Sequence, residues 1–184
     1  MKPARFLASL TGVAVLISMA GCGITASSRS EGYADFDPPY FHGMKRDTGI
    51  SLGPSVLRFA AKHVDEDPEA EALLRAIDGV RVSIYPLTGE LDRENLIRSL
   101  NDTAADLAAD DWQTIVHVQE EEKTVFVLLK TNDSGIKGVT LLTADTGEFV
   151  FVNVMGELSA KALARIANEV PGGDTLSFVT AQIE

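Results

Sequence analysis

The sequence predicts an α+β fold: an antiparallel sheet of about five strands with helices packed on one face. Two observations predict it. Between Trp112 and Met155 four apolar or alternating stretches follow one another through short turn sequences, the pattern of a meander. Around them, four segments repeat apolar residues at helical spacing. The first fifty residues carry neither pattern, so the domain is assigned to residues 51–184, in the order α-α-β-α-β-β-β-β-α.

The elements follow from local chemistry. Gly53-Pro54 places proline where a first helical turn tolerates it, and Val56, Leu57, Phe59, Ala60 and Val64 follow helically. Asp67-Pro68-Glu69 opens a second helix with a capping residue, a proline and an acid at the positive dipole end. Its stripe is Leu73, Leu74 and Ile77, and Gly79 is expected to stop it. Val80, Val82 and Ile84 alternate with Arg81, Ser83 and Tyr85, a half-buried strand ending at Pro86. A long helix is expected from about Asp92 to Asp110, with Leu96, Ile97, Leu100, Ala104, Leu107 and Ala108 on one face.

Strands then cover Trp112–Gln119, Lys123–Lys130, Ile136–Ala144 and Phe149–Met155. Glu120–Glu122, Asn132–Gly135 and Asp145–Glu148 turn the chain between them. Ser159 caps a last helix with the stripe Leu163, Ile166, Ala167 and Val170, and Gly172-Gly173 end it.

The N-terminus has a different grammar. Lys2 and Arg5 precede fifteen largely apolar residues, Phe6–Ala20, which end at Gly21 and Cys22, the single cysteine. Fifteen residues fall short of the roughly 20 that span a bilayer, so residues 1–21 read as an export signal. Met19-Ala20-Gly21-Cys22 resembles a bacterial lipobox, although Met19 stands where leucine is usual. Cys22 would then be the lipidation site and the acylated end of the mature chain. The alternative is ordinary secretory cleavage after Ala20, releasing a soluble periplasmic protein. That alternative leaves an odd thiol in an oxidising compartment, which lipidation explains. Resemblance to lipoproteins of double-membraned bacteria makes Gly23 a signal for the periplasmic face of the outer membrane. Residues 22–50 read as a lipidated tether: Thr25–Ser30 are small and polar, and Gly32, Pro38, Pro39 and Gly43 break regular structure. Tyr33, Phe36, Tyr40 and Phe41 interrupt that polarity and are expected to dock on their own domain or, as the alternative, on a neighbour.

The net charge is −11, and loss of the signal with Lys2 and Arg5 would make it more negative still. That argues against nucleic acid and against electrostatic docking of the whole chain on anionic lipid. A basic envelope protein is the partner such a charge fits. Asp102, Asp106 and Asp110 repeat at i, i+4, i+8 on the long helix, where like charges each cost about 0.2–0.5 kcal/mol. They form a solvated face or a docking stripe for that partner. Asn153 interrupts Phe149–Val152 in a strand where asparagine is disfavoured. It either bonds a neighbouring backbone or lines a ligand site at the sheet rim.

Motifs with defined chemistry are missing: there is no nucleophile elbow, zinc-protease motif, phosphate loop or EF-hand loop. His42, His63 and His117 read as surface or satisfied residues. The acids Asp65, Glu66, Asp67, Glu69 and Glu71 suit a helix start for dipole reasons and lack the alternation of a calcium loop. No cofactor and no metal are expected.

Several segments together resemble a known family. They are Ser51-Leu52-Gly53-Pro54 with Leu57-Arg58, Val80-Arg81-Val82 with Tyr85, Trp112 opening a strand, and Val152-Asn153-Val154-Met155-Gly156 before the last helix. Their order and spacing resemble the bacterial lipoprotein family called domain of unknown function 4252, over about residues 51–170. The resemblance implies an envelope lipoprotein without established activity and brings no catalytic residues. Members are often associated with sigma-factor genes. The expectation is therefore a non-catalytic binding module held to a membrane by its N-terminal lipid. The competing class is a cell-envelope hydrolase using His117 or a bound divalent cation, for which no nucleophile–base–orienter set assembles.

Overall fold

A computed structural model describes residues 23–37, 45–64, 67–87 and 93–163. The signal segment, Cys22, His42, Asp65, Glu66 and everything after Leu163 lie outside the described residues. The elements are β1 (Thr48–Leu52), α1 (Pro54–Ala61), α2 (Pro68–Ala76), β2 (Ile77–Pro86), α3 (Arg93–Ala109), β3 (Trp112–Gln119), β4 (Thr124–Asn132), β5 (Gly135–Ala144) and β6 (Glu148–Leu158). A further helix begins at residues 160–163, where Ser159 Oγ accepts the Ala162 N–H as expected of its cap. The strands form one antiparallel sheet in the order β1-β2-β6-β5-β4-β3. The α+β class and the four-strand meander are thus as the sequence predicts.

The sheet has six strands where about five were expected. The addition is β1, whose Thr48, Gly49 and Ile50 fall in the stretch read as tether. Three of its five residues are exposed, so it follows no alternating pattern and is held by its pairing to Val80–Ile84. The second helix also ends earlier. Ile77 is already extended and starts β2, and Gly79 lies inside that strand instead of stopping the helix.

Helices cover both faces of the sheet, not one. Strand alternation shows why. On one face Leu96, Leu100, Ala104 and Leu107 of α3 pack with Phe126, Leu128, Leu142, Phe149 and Phe151. On the other, Leu57 of α1, Leu73 and Leu74 of α2, and Leu163 pack with Leu129, Val139, Val152 and Val154. Six consecutive residues of β4, Thr124–Leu129, are buried, which is what a strand covered on both sides requires.

Helix α2 is capped as expected: Asp67 Oδ1 accepts the Ala70 N–H at 2.9 Å, and Pro68 follows. Helix α1 has no side-chain cap. Its need is met from outside, because the Gly23 carbonyl accepts the Ser55 N–H at 2.9 Å. The N-terminal segment is therefore part of the fold from Gly23 onward.

Candidate functional site at the N-terminal strap

Residues 23–37 run over the sheet as an irregular strap. It starts at α1, where the Ile24 carbonyl accepts the Gly53 N–H at 2.7 Å and Ser51 Oγ accepts the Ala26 N–H at 3.1 Å. It ends on the α3 face, where Ala34 is fully buried.

One rung of the sheet grips it. Arg81, Asn153 and Thr140 are cross-strand neighbours on β2, β6 and β5. Asn153 Oδ1 accepts the Ala34 N–H at 3.1 Å. Its Nδ2 donates to the Gly32 carbonyl at 3.0 Å, with Thr140 Oγ1 at 3.2 Å and the Val139 carbonyl at 3.3 Å. Arg81 Nη1 donates to the Ala34 carbonyl at 2.6 Å. The guanidinium lies 4.2 Å over the Tyr33 ring and 5.3 Å from that of Phe151, a favourable cation–π placement. Both polar groups of Ala34 are thus satisfied by side chains, as burial demands.

Phe36 closes the far end. Its ring stacks on Phe151 at 4.3 Å and on Phe149 at 5.3 Å, with Tyr85 tilted against it at 6.5 Å. The strap also lies unusually close to the backbone beneath it. A Cβ on Gly32 would stand 1.9 Å from the Lys137 carbonyl oxygen, and one on Gly138 would stand 2.7 Å from Gly32 Cα. Neither position admits a side chain without moving backbone.

The expected docking of Tyr33 and Phe36 on their own domain is what these contacts describe. Tyr40 and Phe41 lie outside the described residues. Asn153, read from sequence as either a backbone partner or a ligand-rim residue, is fully buried near the middle of the sheet and bonds backbone. It does not stand at a rim. The strap that covers it has no periodicity to announce itself.

Beside the strap a polar cleft of about 500 Å³ opens between Arg29, Glu31, Asp78, Lys137 and Glu157. Lys137 is largely buried and donates to Glu157 Oε1 at 2.6 Å. That hydrogen bond, then the ammonium charge, holds the Glu157 carboxyl below the usual glutamate range. Glu31 accepts from Asn132 Nδ2 at 2.9 Å.

The remaining sequence candidates are dispersed. Asp102 and Asp106 are exposed on α3, and Asp110 is exposed in the turn that follows. Arg98 bridges back to Glu94 at 3.1 Å. Among the described residues none of the three aspartates is in an ion pair. His117 is exposed on the edge strand β3 and stacks on Phe126 at 4.0 Å. His63 Nδ1 is 2.8 Å from the Phe59 carbonyl. The acids around α2 are committed to structure: Asp67 caps it, Glu71 pairs with Arg75, and Glu69 pairs with Lys161. Among the described residues no three histidine, cysteine or acidic side chains are grouped to hold a metal ion. Nor is any described helix long and apolar enough to cross a membrane.

Fold and site define an α+β protein built on one six-stranded antiparallel sheet whose N-terminal strap completes a core. The chain belongs to the family described as Domain of unknown function (DUF4252), which matches residues 40–166, more than two-thirds of its length. The match begins beyond the strap and takes in all six strands. No curated protein and no solved structure matches the chain.

Proposed function

We propose that this is a lipid-anchored bacterial envelope protein whose sheet and helices serve as a non-catalytic binding module. Cys22 carries the anchor, and the periplasmic face of the outer membrane is its site. The observation that carries the reading is Cys22 at the end of Met19-Ala20-Gly21-Cys22, after the apolar run Phe6–Ala20. The residue next to Cys22 is hydrogen-bonded to the start of α1, so the anchor joins the fold with almost no intervening chain. An acyl group there would hold the whole domain at the bilayer, and more than one chain makes such anchoring stable. The exposed stripe Asp102, Asp106 and Asp110 is the surface we assign to a basic envelope partner.

The test is metabolic labelling of the full-length chain with an alkyne fatty acid, followed by fractionation and in-cell crosslinking. Wild type is expected in the outer-membrane fraction with label, and Cys22→Ser is expected to lose both. A label that persists in Cys22→Ser overturns the anchor. The triple variant Asp102→Asn, Asp106→Asn, Asp110→Asn is expected to retain the label and lose at least tenfold of any crosslinked basic partner. Unchanged crosslinking removes the stripe from consideration.

A further inference from the structure

The chain is acidic as a whole, yet the helix that receives its N-terminus is not. The exposed side of α1 carries Ser55, Arg58 and Phe59, and the turn that follows adds Lys62 and His63, with no acid between them. Phe59 is 65% exposed, the most exposed large apolar side chain among the described residues, and Ile24 follows at 55%. Ile24 adjoins the start of α1, and Phe59 lies further along that helix. Phe59 lies four positions after Ser55, so it sits on the same stripe one turn along. Ser55 is the residue whose N–H the Gly23 carbonyl accepts, and Ile24 comes next in the strap. Among the described residues neither Arg58 nor Lys62 is in an ion pair. Of the acids that follow in sequence, Asp65 and Glu66 lie outside the described residues and Asp67 is committed to capping α2.

We infer that this face of α1, with Ile24, is a membrane-docking surface that lays the domain on a phospholipid bilayer in one orientation. The inference rests on the anchor reading for its geometry. Cys22 precedes Gly23 directly, so a lipid on that cysteine brings the bilayer to the start of α1, where Pro54 also borders the cleft of Arg29, Glu31, Asp78, Lys137 and Glu157. An exposed aromatic flanked by cations is the composition that enters the headgroup boundary, the ring toward the acyl chains and the cations on phosphates. Charge sets the orientation. The acidic remainder is repelled by anionic headgroups within a Debye length of about 8–10 Å, whereas Arg58 and Lys62 are attracted. The chain's negative sum, which argues against adhesion of the whole, thus favours adhesion through this one face.

The experiment uses the full-length protein recovered from membranes and reconstituted into vesicles of phosphatidylglycerol and brominated phosphatidylcholine. Tryptophan is placed at Phe59→Trp, or as a control at Ile115→Trp on β3, the opposite edge of the sheet. Helix α1 packs on β2, four strand spacings or roughly 19 Å from β3. The native Trp112 is buried and supplies a common background. Bromine is expected to quench the tryptophan at 59 at least twofold and to leave that at 115 within a tenth of its value. Arg58→Glu with Lys62→Glu, added to Phe59→Trp, is expected to abolish most of that quenching while mass spectrometry still finds Cys22 acylated. Acylated protein with equal quenching at both positions, or with none at 59, overturns the docking surface and leaves the anchor standing. Unacylated protein overturns the anchor; vesicle co-sedimentation then decides the surface, which stands if Phe59→Ala lowers binding at least fivefold and falls if it does not.

Discussion

The two faces of the sheet are covered by different means. One is aliphatic where α1, α2 and the helix begun at residues 160–163 meet it, through Leu129, Val139, Val152 and Val154. The other is aromatic and partly polar. Phe149 and Phe151 flank Asn153 and Thr140, and the cover is half helix and half irregular strap. A helix brings its own backbone hydrogen bonds, so the face beneath it has only to be apolar. A strap does not, so the face beneath it must supply partners for each buried N–H and C=O. Arg81, Asn153 and Thr140 stand on one rung for that reason.

The largest effect separating the faces should come from Phe151→Ala against Val154→Ala. Phe151 is fully buried and stacks with Phe36, so its truncation removes both a large core side chain and the strap's aromatic seat. Its loss is expected to cost about 4 kcal/mol in urea unfolding, against about 2 kcal/mol for Val154→Ala. Equal losses would mean that Phe151 contributes less than its larger buried area alone predicts, and that the strap's aromatic seat adds nothing.

Asn153→Ala comes next. It strands the Ala34 N–H and the Gly32 carbonyl, and a buried unpaired group costs roughly 1–3 kcal/mol, so a loss of about 3 kcal/mol is expected. The sharper readout is local. Hydrogen exchange at residues 32–36 should rise by at least tenfold while β4 and β5 keep their protection. The rise is expected to be absent in Val154→Ala, which touches the other face. Uniform exchange changes in both variants would sink the idea that Asn153 acts on the strap.

What the sequence shows of this molecule follows the same division. Helix-covered surface is periodic, so the meander and the stripes of α1, α2 and α3 are readable from Leu57, Leu73, Leu96 and Leu100. Their distribution over both faces was written into Phe126-Val127-Leu128-Leu129, an unbroken run too apolar for a half-covered strand. Strap-covered surface has no period, and its traces are single anomalies: Asn153 in an apolar strand, and Gly138 inside another. Glycine in a strand interior often marks where another backbone comes close, which is what Gly32 does here. The edge strand β1 left no trace because it buries little of its own. Its pairing depends on β2, far along the chain, and not on local pattern.

The smallest effect lies at the strap's margin, at Glu157. Its carboxyl sits below the usual glutamate range because Lys137 donates a hydrogen bond to it and lies beside it. A carboxylate with a lowered folded value stabilises the fold wherever it is ionised. The contribution is complete above the unfolded value and disappears as pH falls through the folded one. Glu157→Gln keeps an acceptor for Lys137 but removes the charge. The stability difference between wild type and Glu157→Gln should therefore be small and constant above about pH 5, then shrink toward zero on further acidification. Glu157 is 76% exposed, so solvent screens the pair from its side, and high salt should shrink the difference as well. Lys137, at 11%, argues the other way, since an ammonium that buried depends on the Glu157 carboxylate it bonds. A difference that persists unchanged in high salt would show that burial of Lys137, and not the exposure of Glu157, governs the pair.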